Sequence, residues 1–382
     1  MQSYARLPIR NFVAPEIVLG AGSLELAGQY ACDLSQRRVL LVTDRGVREA
    51  GWADKVKRSL ALRGLEVALF DQVTASPKSE EVILGARHYL DNDCDLIVAV
   101  GGGSPMDCAK AIGIVATNKV SILQFEGVEQ ITTPGPPIIC IPTTAGSSAD
   151  VSPFTIINDV ARRRKVTILS KLLVPDFSLI DPLTTSTMSD AVTVSTGMDA
   201  LCHALESYVS NASSPLTDLC ALESARLISS SLPIVHNDPT DARARDMMML
   251  CSLYAGLAFS NASLGLTHAM AHSLGGLYDC THGEVNAVLL ERVVRFNYPY
   301  ARDKYDTLER VMFGDAGGKD SLFRRLRELR EKLGIRRGLE RFGLRREDIP
   351  YLGEVTLVDL SLATNPRPAT QEDIEGLYEE AL

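Results

Sequence analysis

Along the first part of the chain, short runs of β-branched and aliphatic residues alternate with longer stretches in which apolar positions recur every three or four residues. That alternation predicts a parallel sheet with helices packed over it. RRVLLVTD (Arg37 to Asp44), LEVALF (Leu65 to Phe70), CDLIVAVGGGS (Cys94 to Ser104) and PPIICIPTT (Pro136 to Thr144) read as strands, the last two running straight into small residues. GWADKVKRSLALRG (Gly51 to Gly64) reads as a helix closed by glycine, and SEEVILGARHYLDND as a helix capped by Ser79.

After IDPLTTSTMSD the β-branched alternation gives way to long segments with helical spacing and few turn signals. AVTVSTGMDALCHALESYVS, PLTDLCALESARLISSS, TDARARDMMMLCSLYAGLAFSNA, GLTHAMAHSLGGLYDCTHGE and DSLFRRLRELREKLG are the helical candidates. PATQEDIEGLYEEAL adds a last one, opened by a Thr370 cap with acids in its first turn. The chain therefore divides near Ile180 to Ser189 into an α/β unit, residues 1–185, and an all-helical unit, residues 186–382. Composition agrees with two units, since 382 residues at 46% hydrophobic content exceed what one core holds, cores ceasing to grow near ~250 residues.

Charge narrows the partners. A net charge of −9 and no extended basic tract argue against nucleic acid or an anionic membrane. The densest cationic cluster is RRRK (Arg162 to Lys165), whose arginines are expected in a solvated loop before a strand. Eight scattered cysteines without a CxxC pair fit buried, reduced thiols. The N-terminus has no apolar signal core and no apolar run approaches the ~18 to 20 residues of a membrane span. A cytoplasmic location is the expectation.

Two stretches carry chemistry. VAVGGGSPMDCAKAIGI sets three glycines and a serine between a buried strand and a helix start. Glycines let amides approach an anion closely, and the following helix offers free N–H groups and the positive end of its dipole. The loop is neither GxGxxG nor a Walker sequence. Asp44, at the carboxyl end of an earlier strand, suits a ribose hydroxyl and repels a 2′-phosphate, which favours NAD over NADP. In the helical half, GMDALCHALE places Asp199 and His203 on one helix face, and His268 and His272 repeat that spacing. His282 follows a GG-containing break that would swing it toward the same point. Carboxylate and imidazole converging in an apolar interior is the donor set of a first-row divalent cation, and spacing alone leaves open which of His268 and His272 binds. His88 and His236 read as surface residues.

GGGSPMDCAK, IPTTAGSSADVS, GMDALCHALE, GLTHAMAHSLGG, HGE and NPRPAT together resemble the iron-dependent (group III) alcohol dehydrogenases, in order and over nearly the whole chain. The resemblance implies a Rossmann-like dinucleotide-binding domain followed by a helical metal-binding domain, with cofactor and metal in the cleft between them. It implies metal coordination by Asp199, His203, His268 and His282, which decides between His268 and His272. His272 then falls beside substrate and nicotinamide, as a catalytic proton relay. Gly102, Gly103 and Ser104 match the pyrophosphate loop, and Asp44, Thr143, Thr144, Ser152 and Lys165 match further cofactor contacts. One departure is Ser76-Pro77, where many relatives have Asn-Pro. The implied activity is hydride transfer between a small alcohol or aldehyde and NAD(H), with Fe2+, or Zn2+ in its place, as Lewis acid on the substrate alkoxide. A homodimer or larger homo-oligomer is implied as well. The rivals are a polyol dehydrogenase and a low-activity regulatory or sensory protein on the same scaffold.

Overall fold

The computed structural model describes residues 11–34, 37–278, 280–315, 317, 319–336 and 338–382. Its strands are β1 (Glu16–Leu19), β2 (Arg38–Asp44), β3 (Glu66–Val73), β4 (Leu96–Gly101), β5 (Gly127–Val128), β6 (Ile138–Pro142), β7 (Phe154–Asp159), β8 (Arg164–Leu169) and β9 (Phe177–Ile180). Helices α1 (Ala27–Asp33), α2 (Arg45–Glu49), α3 (Trp52–Ala61), α4 (Ser79–Asp91) and α5 (Gly103–Asn118) lie between them. Then come α6 (Asp190–Val209), α7 (Pro215–Asn237), α8 (Ala242–Ala262), α9 (Leu266–Tyr278), α10 (His282–Asn297), α11 (Arg302–Phe313), α12 (Lys319–Lys332), α13 (Ile349–Leu357) and α14 (Gln371–Ala381).

The uninterrupted apolar runs become the middle of a six-stranded parallel sheet, in the order β1-β9-β6-β4-β2-β3. Strands covered on both faces need apolar side chains at every position, and VLLV of β2 and LIVAV of β4 are buried throughout. Alternate residues serve opposite layers: Leu40, Val42, Ile97 and Ala99 pack with Ile112 of α5, while Val39, Leu41, Leu96 and Val98 pack with Val56 and Leu60 of α3. The fold class is the expected one, a parallel α/β sheet followed by a helical region. In that region α6 is buried from Gly197 to Val209 among α7, α8 and α10, so the polar residues of that stretch, Asp199, His203 and Glu206 among them, lie in the interior.

Several local expectations need correction. Ser79 is the first residue of α4 rather than its cap; Lys78 takes the cap position, and Glu81 reaches back to the backbone N–H groups of Lys78 and Thr74. The strand expected after RRRK already includes Arg164, which is not in a solvated loop: it opens β8 and pairs through both guanidinium nitrogens with Glu126, at 2.5 and 2.6 Å. Strands β1, β5, β7 and β9 come in addition to those the pattern predicts, and β5, β8 and β7 make a second, three-stranded sheet with β7 and β8 antiparallel. GG does not break the helix before His282, since α9 runs through Gly275 and Gly276 to Tyr278. Those glycines serve packing: a Cβ on Gly276 would stand 2.6 Å from Arg164 Cα, so glycine lets α9 lie directly on β8. Thr370 caps α14 as expected, accepting from the Asp373 amide.

His88 and His236 are half-buried rather than exposed, and His236 joins α7 to α6 through Asp190 at 2.7 Å. None of the eight cysteines is in a disulfide, and six of them are buried. Among the described residues no single helix is long and apolar enough to cross a membrane; α8 and α9 pass that test only together, bent by 97°.

Candidate metal and cofactor site

A cleft of about 840 Å³ opens where the carboxyl ends of the parallel strands face α6, α8 and α9, the position at which open α/β sheets take ligands. Asp44, Gly102, Gly103, Ser104, Thr143, Thr144, Ser152 and Lys165 line it, and so do Asp199, His203, His268, His272 and His282. Every site residue singled out from sequence therefore reaches one cavity.

On the sheet side, β4 ends at Gly101, whose φ of +156° places it against Pro105, where a Cβ would meet Pro105 Cγ at 2.5 Å. Gly102 then occupies the N-cap position of α5 without a side-chain cap. The first amides of a 16-residue helix are thus left for a ligand, the arrangement that binds phosphate. Asp44 caps α2 with Oδ1, which accepts the Val47 amide at 2.8 Å. Phe154, Ile156 and Asn158 of β7, with Lys165 and Thr167 of β8, form the opposite wall. The Lys165 side chain crosses bare Gly275, where a Cβ would lie 3.1 Å from its Nζ.

On the helical side, ligand atoms of Asp199, His268 and His282 lie within 4.8 Å of one another. Asp199 Oδ1 stands 3.6 Å from His268 Nε2 and 3.7 Å from His282 Nε2. Two ligands at ~2.1 Å from a shared tetrahedral ion stand roughly 3.4 Å apart. His203 does not join that triangle: its ring lies flat against His268, centroids 4.6 Å apart, with Phe259 at 4.4 Å on a second contact.

Three features test whether a cation fits. The Asn286 amide nitrogen lies between the three ligand atoms, 2.7 Å from Asp199 Oδ1 and 3.2 Å from each Nε2, and so occupies the point a shared ion would take. His203 Nδ1, buried, has no partner among the described residues. Third, the charges call for a cation. Burial alone would raise the Asp199 pKa, but His203, His282 and His268 hold it well below the usual carboxylate range. Burial lowers His203 to about 4 and His282 well below the ordinary value, leaving both as neutral donors. At His268 burial acts downward too, yet hydrogen bonds to Asp199 and Glu206 raise it to about 9. Two carboxylates thus demand positive charge at that ring, which a proton supplies or a metal ion would supply in its place.

His272 is kept out of this triangle by its own partner. Nδ1 lies 3.0 Å from Asp359 Oδ2, and Nε2 is buried with no partner among the described residues. An ionised carboxylate only accepts, so Nδ1 carries the proton and Nε2 presents a lone pair. Asp359 is held ionised: burial would raise its pKa, but His272 and the Ser361 amide lower it.

Sequence reasoning missed Glu206, Asn286 and Asp359. Glu206 had a visible signal, an acid within the apolar stretch CHALESYV; for the other two the sequence offered none.

Comparison with known proteins shows the family. The "Iron-containing alcohol dehydrogenase" family model matches residues 14–182, and its companion, "Fe-containing alcohol dehydrogenase family, C-terminal", matches residues 193–382. A 1,3-propanediol dehydrogenase of Klebsiella pneumoniae is 37% identical over 380 residues, 97% of this chain and 98% of that one. An NAD-dependent methanol dehydrogenase of Bacillus methanolicus is 31% identical over 97% of this chain and 99% of its own. The crystal structure of a 1,3-propanediol oxidoreductase superposes with a TM-score of 0.95 at 36% identity, covering 98% of this chain and 100% of that one. The chain belongs to the iron-containing alcohol dehydrogenase family. It is an oxidoreductase acting on alcohols, with Fe2+ and NAD(H) as the cofactors of that family.

Proposed function

We propose that this chain interconverts short, uncharged alcohols and their aldehydes, with Asp199, His203, His268 and His282 holding the metal and His272 handling the proton. The donor triangle around the Asn286 amide, sharing one cleft with the uncapped start of α5, carries the reading. Phe154, Phe259 and Leu264 give the cleft its apolar lining, and Arg45 and Lys165 are the only lysine or arginine side chains among its described lining residues, which supports small neutral substrates. Relatives named for 1,3-propanediol and methanol bracket that size and extend it to diols, the polyol alternative.

When bound, the metal supplies a Lewis acid that eases loss of the substrate hydroxyl proton, and nicotinamide accepts the hydride. The remaining work falls to this chain's residues. Amides at Gly102, Gly103 and Ser104 hold the pyrophosphate; Thr143, Thr144, Ser152 and Lys165 line the path of the rest of the cofactor. Asp44 keeps Oδ1 on α2, and its second oxygen accepts from an adenosine ribose hydroxyl, favouring NAD. Nε2 of His272 is an imidazole lone pair that a carboxylate orients from outside the donor triangle, so it takes the substrate proton and Asp359 steadies the resulting imidazolium.

Cysteines outside any disulfide support a reducing, cytoplasmic setting, and β1, a half-exposed edge strand, offers a surface for a second copy. Three donors gathered at one point, with His272 beside them, disfavour a merely sensory role. With iron or zinc restored, short alcohols and aldehydes should change the absorbance of reduced nicotinamide, and His268→Ala should not. Undiminished turnover by that variant would remove the metal role.

A further inference from the structure

The first amides of a helix have no partner within it, and at the start of α9 three successive ones are satisfied by side chains distant in sequence. Glu206 accepts from the Gly265 amide through Oε2 at 3.0 Å and from the Thr267 amide through Oε1 at 2.5 Å. Asn365 Oδ1 accepts from the Leu266 amide at 3.1 Å. Asn365 is itself fixed by reciprocal 2.9 Å hydrogen bonds with Asn297 and by donation to the Arg367 carbonyl at 2.6 Å. The two acceptors converge because residue 265 is glycine: a Cβ there would stand 3.0 Å from both Asn365 Oδ1 and Glu206 Oε1.

Glu206 does one thing more than cap. The Oε2 that receives the Gly265 amide lies 2.6 Å from His268 Nδ1. A buried carboxylate in that place accepts only, so it assigns the proton to Nδ1 and turns Nε2 toward Asp199 and His282. Neutral Asn365 shows that capping alone needs no charge. Glu206, 4% exposed, keeps its charge in the interior because donors surround it.

We propose that Glu206 is the positioning residue of the metal centre, setting the ring orientation and tautomer of His268, while Asn365 fixes the helix start that carries it. The proposal rests on the metal reading given above and gives a role to Glu206, the last residue of GMDALCHALE, which that reading leaves without one. Glutamine at 206 would still cap one amide, but its NH2 would confront either the Thr267 amide or the Gly265 and His268 donors.

The test compares full-length parent, Glu206→Gln, Glu206→Asp and Asn365→Ala, each stripped of metal and titrated anaerobically with Fe2+, and separately with Zn2+, against a chelator. Glu206→Gln should bind about 10- to 100-fold more weakly at unchanged stoichiometry, with Glu206→Asp recovering part of the loss. Asn365→Ala should lower the melting temperature with a smaller change in metal affinity. Zinc-loaded parent labelled with 15N-histidine should show an Nδ1–H proton far downfield, lost in His268→Ala; this readout stands even where a variant at 206 does not fold. Metal affinity within twofold of the parent in Glu206→Gln, or an Nε2–H tautomer at His268, would overturn the proposal while leaving the metal site intact. Failure of the parent itself to bind one ion per chain would instead overturn the functional reading beneath it.

Discussion

The sheet side and the helical side of the cleft hold ligands by different means. Around β4 and α5 the working groups are backbone amides, exposed by glycines that leave no side chain in the way. Around α6, α9 and α10 they are side chains, buried but for the half-buried His282, and two of them are aimed by another side chain: His268 by Glu206, His272 by Asp359. Backbone binding tolerates changes of side chain but not of shape. Side-chain binding tolerates changes of shape only as far as the supporting carboxylates stay in place.

The largest effect on that contrast is expected at Gly103. A valine there would push against Ser147, already 3.0 Å from a bare Cβ, and into the space where phosphate lies. Gly103→Val should raise the KM for NAD about tenfold or more, equivalent to ~1.4 kcal/mol or more, with metal content unchanged in elemental analysis. Loss of metal with the cofactor would mean the two sides are not separable. Gly276→Ala probes the contact that joins them, since its Cβ would meet Arg164 Cα at 2.6 Å and Lys165 N at 2.7 Å. Overpacking of this kind costs about 1–3 kcal/mol, so thermal unfolding should show a clear drop in melting temperature and both ligands should bind less well.

Asp107 offers a pH handle. Burial in the cleft pushes its carboxyl from 3.8 up to about 7, against the opposing pull of Lys110 and the Ile156 amide. The folded state therefore favours the neutral acid, and that contribution is present below the ordinary carboxylate pKa and lost as pH rises toward 7. Relative to Asp107→Asn, the parent should lose stability between about pH 4 and pH 7 in denaturant titrations of cofactor-free protein. A constant difference over that window would contradict the assignment. The smallest effect is expected at Ser76, which lines the cleft with a φ of +54°. Asparagine adopts this conformation more readily, so Ser76→Asn should stabilise the chain by a few tenths of a kcal/mol and tighten NAD, read from melting temperature and KM.

Legibility in the sequence followed the same division. Strands β2, β4 and β6 were readable because burial on both faces demands unbroken apolar runs. Strand β7 was missed although Thr155, Ile156 and Ile157 supply a β-branched run; its antiparallel pairing with β8 depends on residues that no local pattern joins. Of the site, residues in compact motifs were visible, whereas Asp359 lies 87 positions from the histidine it holds and no local pattern announces it. Glycine pairs were ambiguous for a physical reason: the same residues serve a break or a close approach, and only the neighbour, here β8, decides.

The central claim is that Asp199, His203, His268 and His282 gather around one ion beside the cofactor loop. Crystals loaded anaerobically with Fe2+ or Zn2+, measured at the metal's absorption edge, test it directly. A single anomalous peak per chain at roughly 2.0–2.2 Å from one atom of each of the four, with the His203 ring turned from its stack and the Asn286 amide displaced, is the expected result. A peak elsewhere, or none at these residues in fully loaded protein, would contradict it.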